Sequence, residues 1–278
     1  MKIGIIGLGL IGGSLALDFR AENFEVYGVS RQKETCIKAK TRNIVDDAST
    51  DLSLVYQTDL IFICTPIAAI APTLAAIAPH LQAKTIVTDV GSVKASLVKT
   101  CSELWPNFVG GHPMAGSAEK GLEAVEKQLF RNAPYVITPT ERTPSQAIET
   151  LENLVTTLQS IIYFCSPEDH DQAVALISHL PVMISASLIK TVMRQTNPKI
   201  LELAQNLASS GFKDTSRVGG GNPELGLMMA QYNRENLRQS LLDYRQILDE
   251  IINYLEQENW DQLATLLDFT QDSRPKFL

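Results

Sequence analysis

Two sets of residues in this chain have the types and spacing that chemistry needs. Gly7, Gly9 and Gly12 form a GxGxxG pattern directly behind a short apolar run at residues 3–6. In such a pattern the first glycine permits a tight turn, the second lets the backbone approach a pyrophosphate, and the third lets a helix pack on a strand. Leu10 and Ile11 then open a helix whose free N–H groups and positive dipole end meet the phosphates. His112 is the second candidate: it follows the apolar run at residues 108–111, and Pro113 fixes the chain beyond it. A histidine at the carboxyl end of a parallel strand, beside a nicotinamide, is suited to take a hydroxyl proton while hydride leaves the same carbon. Ser92, at the end of a neighbouring apolar run, is placed either to hydrogen-bond that imidazole or the substrate hydroxyl, or to cap a helix that begins near Val93.

The other three histidines have plainer readings. His80 ends a surface helix, His170 lies in the polar stretch Glu168-Asp169-His170-Asp171 that can open a helix, and His179 sits on a long helix where a satisfied core histidine is the default. Proline inside that helical pattern, at Pro181, removes a backbone hydrogen bond and predicts a kink just past His179.

A second apolar run at residues 24–29 follows the glycine loop at the distance a βαβ unit requires. Its end is where an NAD-binding chain usually places Asp or Glu against the ribose 2′-hydroxyl. Here Ser30 and Arg31 stand instead, with Thr35 close behind. A carboxylate repels a 2′-phosphate, whereas a hydroxyl and a guanidinium bind it with charge-assisted hydrogen bonds, so the substitution points to NADP. Ser30 can also cap the following helix, and the two roles are compatible.

The elements that position these residues follow from apolar patterning. Nearly continuous apolar runs at residues 59–64, 85–90 and 108–111 have the character of strands buried on both faces of a parallel sheet. They end in Thr65-Pro66, in Gly91-Ser92 and at His112, and ligands in open α/β sheets bind outside the carboxyl ends of the strands. Further strands are expected at 134–138 and 161–164, around an amphipathic helix carrying Leu151, Leu154 and Leu158. Beyond residue 166 strand signals stop. Helices are expected over 169–196, 199–209 and 223–258, with a terminal one containing Trp260 and Leu263, and a glycine-rich loop over 211–221 that carries Arg217. The fold class is therefore α/β, a Rossmann-type doubly wound, mainly parallel sheet in residues 1–165 followed by an all-α domain in residues 166–278. The long apolar face over 223–258 predicts a homodimer.

A chain of 278 residues exceeds one average domain, in keeping with that division. The formal net charge of −7 argues against a nucleic-acid or anionic-membrane partner, so anionic ligands must be met by local cations. Residues 3–17 form an uncharged run of signal-peptide length, but the glycine spacing and the lack of a small-x-small cleavage site favour the nucleotide reading. Four widely spaced cysteines (Cys36, Cys64, Cys101, Cys165) with no CxxC read as reduced packing residues of a cytoplasmic protein, and no metal-ligand cluster is present.

The motifs Gly110-Gly111-His112-Pro113-Met114-Ala115-Gly116 and Asp89-Val90-Gly91-Ser92-Val93-Lys94 resemble those of the prephenate/arogenate dehydrogenase family of tyrosine biosynthesis. Ser178-His179-Leu180-Pro181 and the stretch from Gly211 to Arg217 extend the resemblance into the helical half. It implies an oxidative decarboxylation in which a cyclohexadienol gives hydride to NAD(P)+ and its ring carboxylate leaves as CO2, aromatising the ring. The resemblance further implies His112 as catalytic base assisted by Ser92, and a substrate pocket containing His179, Gly116 and Ser117. Arg217 matches the arginine that grips a substrate carboxylate. Departures cluster around substrate recognition: Ala118 replaces a frequent acid, Val182 a histidine, and Gly226 a tryptophan of many prephenate-using members. Compact members of this kind commonly pair L-arogenate with NADP+, giving L-tyrosine. The alternative is prephenate, or both substrates, giving 4-hydroxyphenylpyruvate from prephenate.

Two more distant readings remain at this level. A β-hydroxyacid dehydrogenase or imine reductase would use a lysine such as Lys190 on the first long helix of the second domain, and would leave His112 unused. A non-catalytic NADPH sensor would bind the cofactor without turnover.

Overall fold

The structure, a computed structural model, describes residues 1–116, 119 and 121–277. Its first half alternates β1 (Lys2–Ile6), α1 (Leu10–Ala21), β2 (Glu25–Val29), α2 (Lys33–Thr41), β3 (Asp47–Ser49), β4 (Leu60–Ile63), α3 (Ile67–Ile77), β5 (Ile86–Asp89), α4 (Ala95–Leu104), β6 (Phe108–Pro113), β7 (Pro134–Thr138), α5 (Ser145–Thr157) and β8 (Ile161–Phe164). The strands form one sheet in the order β3-β2-β1-β4-β5-β6-β7-β8. All neighbours are parallel except β6 and β7, which run antiparallel with His112 opposite Val136.

Alternation along each strand divides the core into two layers. Ile3, Ile5, Leu60 and Phe62 face α1 and α5, meeting Leu15, Phe19, Leu151 and Leu154. Ile6, Ile61 and Ile63 face α3 and α4, meeting Ile70, Leu74, Leu97 and Val98. Both faces of the sheet are thus dry, which is why its central strands read as unbroken apolar runs. Strand order reverses between β1 and β4, and that switch point opens the crevice.

From Pro167 onward the chain is helical: α6 (Pro167–Val174), a π-helical turn (Ala175–His179), α7 (Leu180–Met193), α8 (Pro198–Leu207), α9 (Ser210–Ser216), α10 (Pro223–Tyr232), α11 (Arg234–Glu256) and α12 (Trp260–Ser273). The disturbance expected at Pro181 takes the form of the π turn, since the residue without an N–H cannot complete the regular ladder. Asn222 accepts a hydrogen bond from the Glu224 amide and Pro223 opens α10, as expected of that pair.

Two expectations are corrected and one element is added. The helix over 223–258 is two helices, broken at Asn233, whose φ of −120° and ψ of 37° are not helical. The segment 211–221 is not a loop throughout, because Ser210–Ser216 forms α9. A short strand at Asp47–Ser49, too polar to be noticed, extends the sheet edge beside β2.

Pro167–Met193 is long and apolar enough to cross a membrane by length and composition. It nevertheless buries His170, Asp171 and His179, polar groups held by the neighbouring elements described below. Among the described residues the helical half buries few apolar side chains, Val174, Ala175, Met229 and Leu237, while Leu176, Ile200, Leu207, Ile252 and Trp260 stay exposed.

Candidate active site

The glycine loop forms one wall of a cavity of about 1130 Å³. Gly7 has φ of +104°, and a Cβ there would lie 2.5 Å from the Cys64 carbonyl oxygen; at Gly12 it would lie 2.0 Å from the Gly7 oxygen. Around Gly9 there is open space instead, and Gly9 caps α1 with no side-chain hydrogen bond. The first and third glycines are therefore needed by the protein itself. The second leaves room for a ligand beside the N-terminus of α1, where the first-turn N–H groups of a helix have no intrahelical acceptor, the arrangement a pyrophosphate fits.

Ser30, Arg31 and Thr35, beyond the end of β2, and Thr65 and Pro66, beyond the end of β4, line the same cavity. Leu10, Ile11 and Gly12 form the first turn of α1 behind Gly9. Ser30 does not cap α2; its hydroxyl accepts from the Gln32 amide at 3.3 Å, and Gln32 is the N-cap residue. Gln32 and Lys38 also line the cavity, although sequence reasoning did not single them out. Lys38 pairs with Glu123 at 2.7 Å, joining α2 to the turn at Gly121 that closes one side.

His112 lies within β6 and not in a loop after it, because the antiparallel partner β7 extends the pairing through Pro113. Its ring is buried, with 8% of the residue exposed, and its Nδ1 lies 2.8 Å from Nε2 of His170. The Nδ1 of His170 in turn lies 2.8 Å from Oδ1 of Asp171. Behind His112, the buried ammonium of Lys94 donates to the Gly111 carbonyl at 2.7 Å and contacts the Asp89 carboxylate. Burial pushes the Lys94 ammonium down from its ordinary range, and Asp89 opposes that. Burial, then His170 and Lys94, holds His112 well below the ordinary imidazole value, so it is neutral at physiological pH.

Ser92 follows β5 and its hydroxyl is buried without a partner among the described residues. It does not cap the next helix. That helix begins at Ala95, and its cap is Asp171, whose carboxylate accepts from the Lys94 amide at 2.7 Å and from the Ala95 amide at 2.9 Å. The Thr65 hydroxyl, after β4, is also unpartnered among the described residues. Two unmatched hydroxyls at adjacent strand ends are groups that a ligand can satisfy.

His179 is fully buried at the junction of the π turn and α7. Asn233 reaches its Nδ1 at 3.2 Å, and its Nε2 has no partner among the described residues. Burial lowers its pKa to about 4. Arg217 ends α9 and is exposed, with no ion pair among the described residues. Its backbone is tethered to α7 through the next turn, where the Gly219 amide donates to Ser185 Oγ at 2.7 Å. Gly116 follows β6 in open surroundings, and Ser117 and Ala118 lie outside the described residues. His80 stacks on Tyr56 at 4.8 Å between ring centroids, a structural role.

Two family models divide the chain between them: "Prephenate dehydrogenase, nucleotide-binding domain" matches residues 15–164, and "Prephenate dehydrogenase, dimerization domain" matches residues 166–269. The chain belongs to the prephenate dehydrogenase family. Synechocystis arogenate dehydrogenase has the same fold at a TM-score of 0.90, with 54% identity over 100% of both chains. The prephenate dehydrogenase of A. aeolicus, solved in complex with hydroxyphenyl propionate and NAD+, superposes at a TM-score of 0.94 with 25% identity, covering 100% of this chain and 98% of that one. The prephenate dehydrogenase of Bacillus subtilis (strain 168) is 31% identical over 277 residues, 97% of this chain and 74% of its own length.

Membership in a family of prephenate and arogenate dehydrogenases makes the chain a member of an oxidoreductase family with a nucleotide-binding domain. The lysine-based reading loses its support, since Lys190 is exposed near the end of α7. Sequence reasoning missed His170, Asp171, Asn233 and the Lys94–Asp89 pair as parts of this prephenate dehydrogenase-like site. The only local signal was a cluster of polar residues inside an otherwise apolar helix.

Proposed function

We propose that the protein oxidises L-arogenate with NADP+, releasing CO2 and yielding L-tyrosine and NADPH. The observation that carries the chemistry is His112, a buried imidazole held below its ordinary pKa with Nδ1 engaged by His170, on the strand that neighbours the one Ser92 follows. The preference for arogenate rests on 54% identity to Synechocystis arogenate dehydrogenase. Prephenate is the second reading, favoured by the names of the relatives from B. subtilis and A. aeolicus.

When bound, the nicotinamide accepts the hydride from the ring carbon that carries the hydroxyl. His112 takes the hydroxyl proton, so that the C–O bond becomes a carbonyl. Loss of the ring carboxylate as CO2 then leaves its bonding pair in the ring, and the resulting phenolate recovers the proton from His112. No net proton is released. Ser92 hydrogen-bonds the reacting hydroxyl, and His179 donates to an acceptor on the substrate. Arg217 supplies the fixed cation for a substrate carboxylate, with Gly116 and Ser117 completing the pocket.

Gly7, Gly9, Leu10, Ile11 and Gly12 hold the pyrophosphate, and Thr65 and Pro66 flank the nicotinamide end. Ser30, Arg31 and Thr35 receive the 2′-phosphate, and the nearby Lys38 adds positive charge. Residues 1–165 serve as the cofactor domain and residues 166–278 as the substrate-binding and dimerisation domain. The exposed apolar residues of α8, α11 and α12 are covered in a homodimer, and the location is cytoplasmic.

Steady-state assays of arogenate and prephenate, each with NADP+ and NAD+, test the reading by the appearance of reduced nicotinamide. Arogenate with NADP+ should give the highest kcat/KM. No turnover of either cyclohexadienol would sink the assignment, and a higher kcat/KM for prephenate would reverse the substrate choice.

A further inference from the structure

We propose that Asp171 and Asn233 hold the two buried site imidazoles in opposite tautomers, so that His112 presents a lone pair at Nε2 while His179 presents a proton at Nε2. The inference rests on the proposed dehydrogenase reading only for its kinetic consequences; the tautomers themselves follow from the hydrogen-bond pattern.

The first arm begins at the Asp171 carboxylate. It already accepts two backbone N–H groups, from Lys94 and Ala95, which identifies it as an acceptor. His170 Nδ1, 2.8 Å from Oδ1, must therefore be the donor. In a neutral ring the other nitrogen is then an acceptor, so His170 Nε2 receives its hydrogen bond from His112 Nδ1 at 2.8 Å. With its proton on Nδ1, His112 keeps Nε2 free as the basic nitrogen. A base for a hydroxyl proton needs that nitrogen bare.

The second arm begins at the backbone of the same residue. The Asn233 amide nitrogen lies 2.7 Å from the Asp171 carbonyl oxygen, which can only accept. The amide oxygen of Asn233 faces the other way and accepts from Asn236 at 2.8 Å. This orientation leaves the second N–H of Asn233 to donate to His179 Nδ1 at 3.2 Å. An accepting Nδ1 forces the proton of a neutral His179 onto Nε2, the buried atom without a partner among the described residues. A buried donor left unmatched is costly, and an oxygen acceptor on the substrate removes that cost.

One residue thus sets both rings. Its side chain makes His112 a proton acceptor, and its carbonyl, through Asn233, makes His179 a proton donor. Asp171, His170 and Asn233 act here as positioning residues, since each works through an imidazole. The break between α10 and α11 falls at Asn233, which places its amide in this network and not on a regular helix face.

The chain has four histidines, so the full-length protein labelled with 15N-histidine gives a readable spectrum. Above neutral pH, His112 should show a protonated Nδ1 and a bare Nε2, and His179 the reverse. Asn233→Asp replaces the donor by an acceptor and should move the His179 proton to Nδ1, leave His112 unchanged, and raise KM about tenfold or more with little change in kcat. His170→Phe should lower kcat by about ten- to a hundredfold without raising KM, and His170→Gln, whose amide can donate to Asp171 and accept from His112, should restore it. The proposal is overturned by the same tautomer at both sites, by a doubly protonated His170 above neutral pH, or by an unchanged His179 in Asn233→Asp. Absence of turnover with arogenate and prephenate would instead overturn the reaction assignment, while the wild-type nitrogen spectrum still decides the tautomers.

Discussion

Ala95 and Asp171 lie 76 positions apart in the chain, yet the backbone N–H of the first donates to the carboxylate of the second at 2.9 Å. The helix that follows β5 in the sheet domain is thereby capped from the helical half. Asp171→Ala orphans two helix N–H groups, those of Lys94 and Ala95, as well as the His170 ring. It should lower the stability of the protein by about 2–4 kcal/mol, read from the midpoint of denaturant unfolding. Ser92→Ala is the control, because the Ser92 hydroxyl has no partner among the described residues; its unfolding midpoint should match the wild type.

His112→Asn should reduce kcat by about 10²–10⁴-fold, the usual share of a general base, while the affinity for NADPH measured by fluorescence titration stays near wild type. Equal loss of cofactor binding would mean that the ring supports the crevice and not the proton transfer.

Protonation of His112 removes the base, so kcat/KM should rise with pH along an acidic limb and level off once the ring is neutral. Its pKa is held well below 6.5 by burial, so the midpoint of that limb in the free enzyme should fall below 6.5. The same shift has a stability consequence of defined sign. His112 and His179, the latter at about 4, titrate lower in the fold than in the unfolded chain, where imidazoles titrate near 6.5. Below that pH the unfolded state binds more protons, so stability should be intact above about 6.5 and decline as pH falls toward about 4. Unfolding midpoints measured between pH 8 and pH 4, about two units either side of the imidazole range, test this.

The glycines of the first loop separate by function. Gly12→Ala forces a Cβ to within 2.0 Å of the Gly7 oxygen and should lower the thermal midpoint of the free protein. Gly9→Ala meets nothing within 4 Å, so it should lower that midpoint by no more than the small cost of alanine at a helix cap, while weakening NADP+ binding. A loss of stability in Gly9→Ala as large as that in Gly12→Ala would contradict the ligand-facing role of that position.

Arg31→Ala should raise KM for NADP+ by about ten- to a hundredfold, the cost of one charge-assisted hydrogen bond, and leave KM for NAD+ nearly unchanged. Equal losses with both cofactors would place Arg31 against the shared part of the dinucleotide.

Features that depend on near neighbours are legible along the chain. GxGxxG must turn tightly after a strand, continuous apolar runs must be buried on both faces, and Pro181 must disturb its helix; all three hold because their causes lie within a few residues. His112 was legible for the same reason, as a lone histidine at the end of an apolar run, although only the antiparallel pairing with β7 placed it inside a strand. What surrounds it depends on packing between distant parts of the chain. Glu168-Asp169-His170-Asp171 reads along the chain as a polar helix start, and Asn233 as one polar position in a long amphipathic pattern. Their meaning comes from groups 58 and 77 positions away, His112 and the Lys94 amide, and from an amide that must choose between a carbonyl and an imidazole. Hydrogen bonds of that kind are directional and non-local, so residue type and periodicity carry no trace of them until the two halves of the chain are packed together.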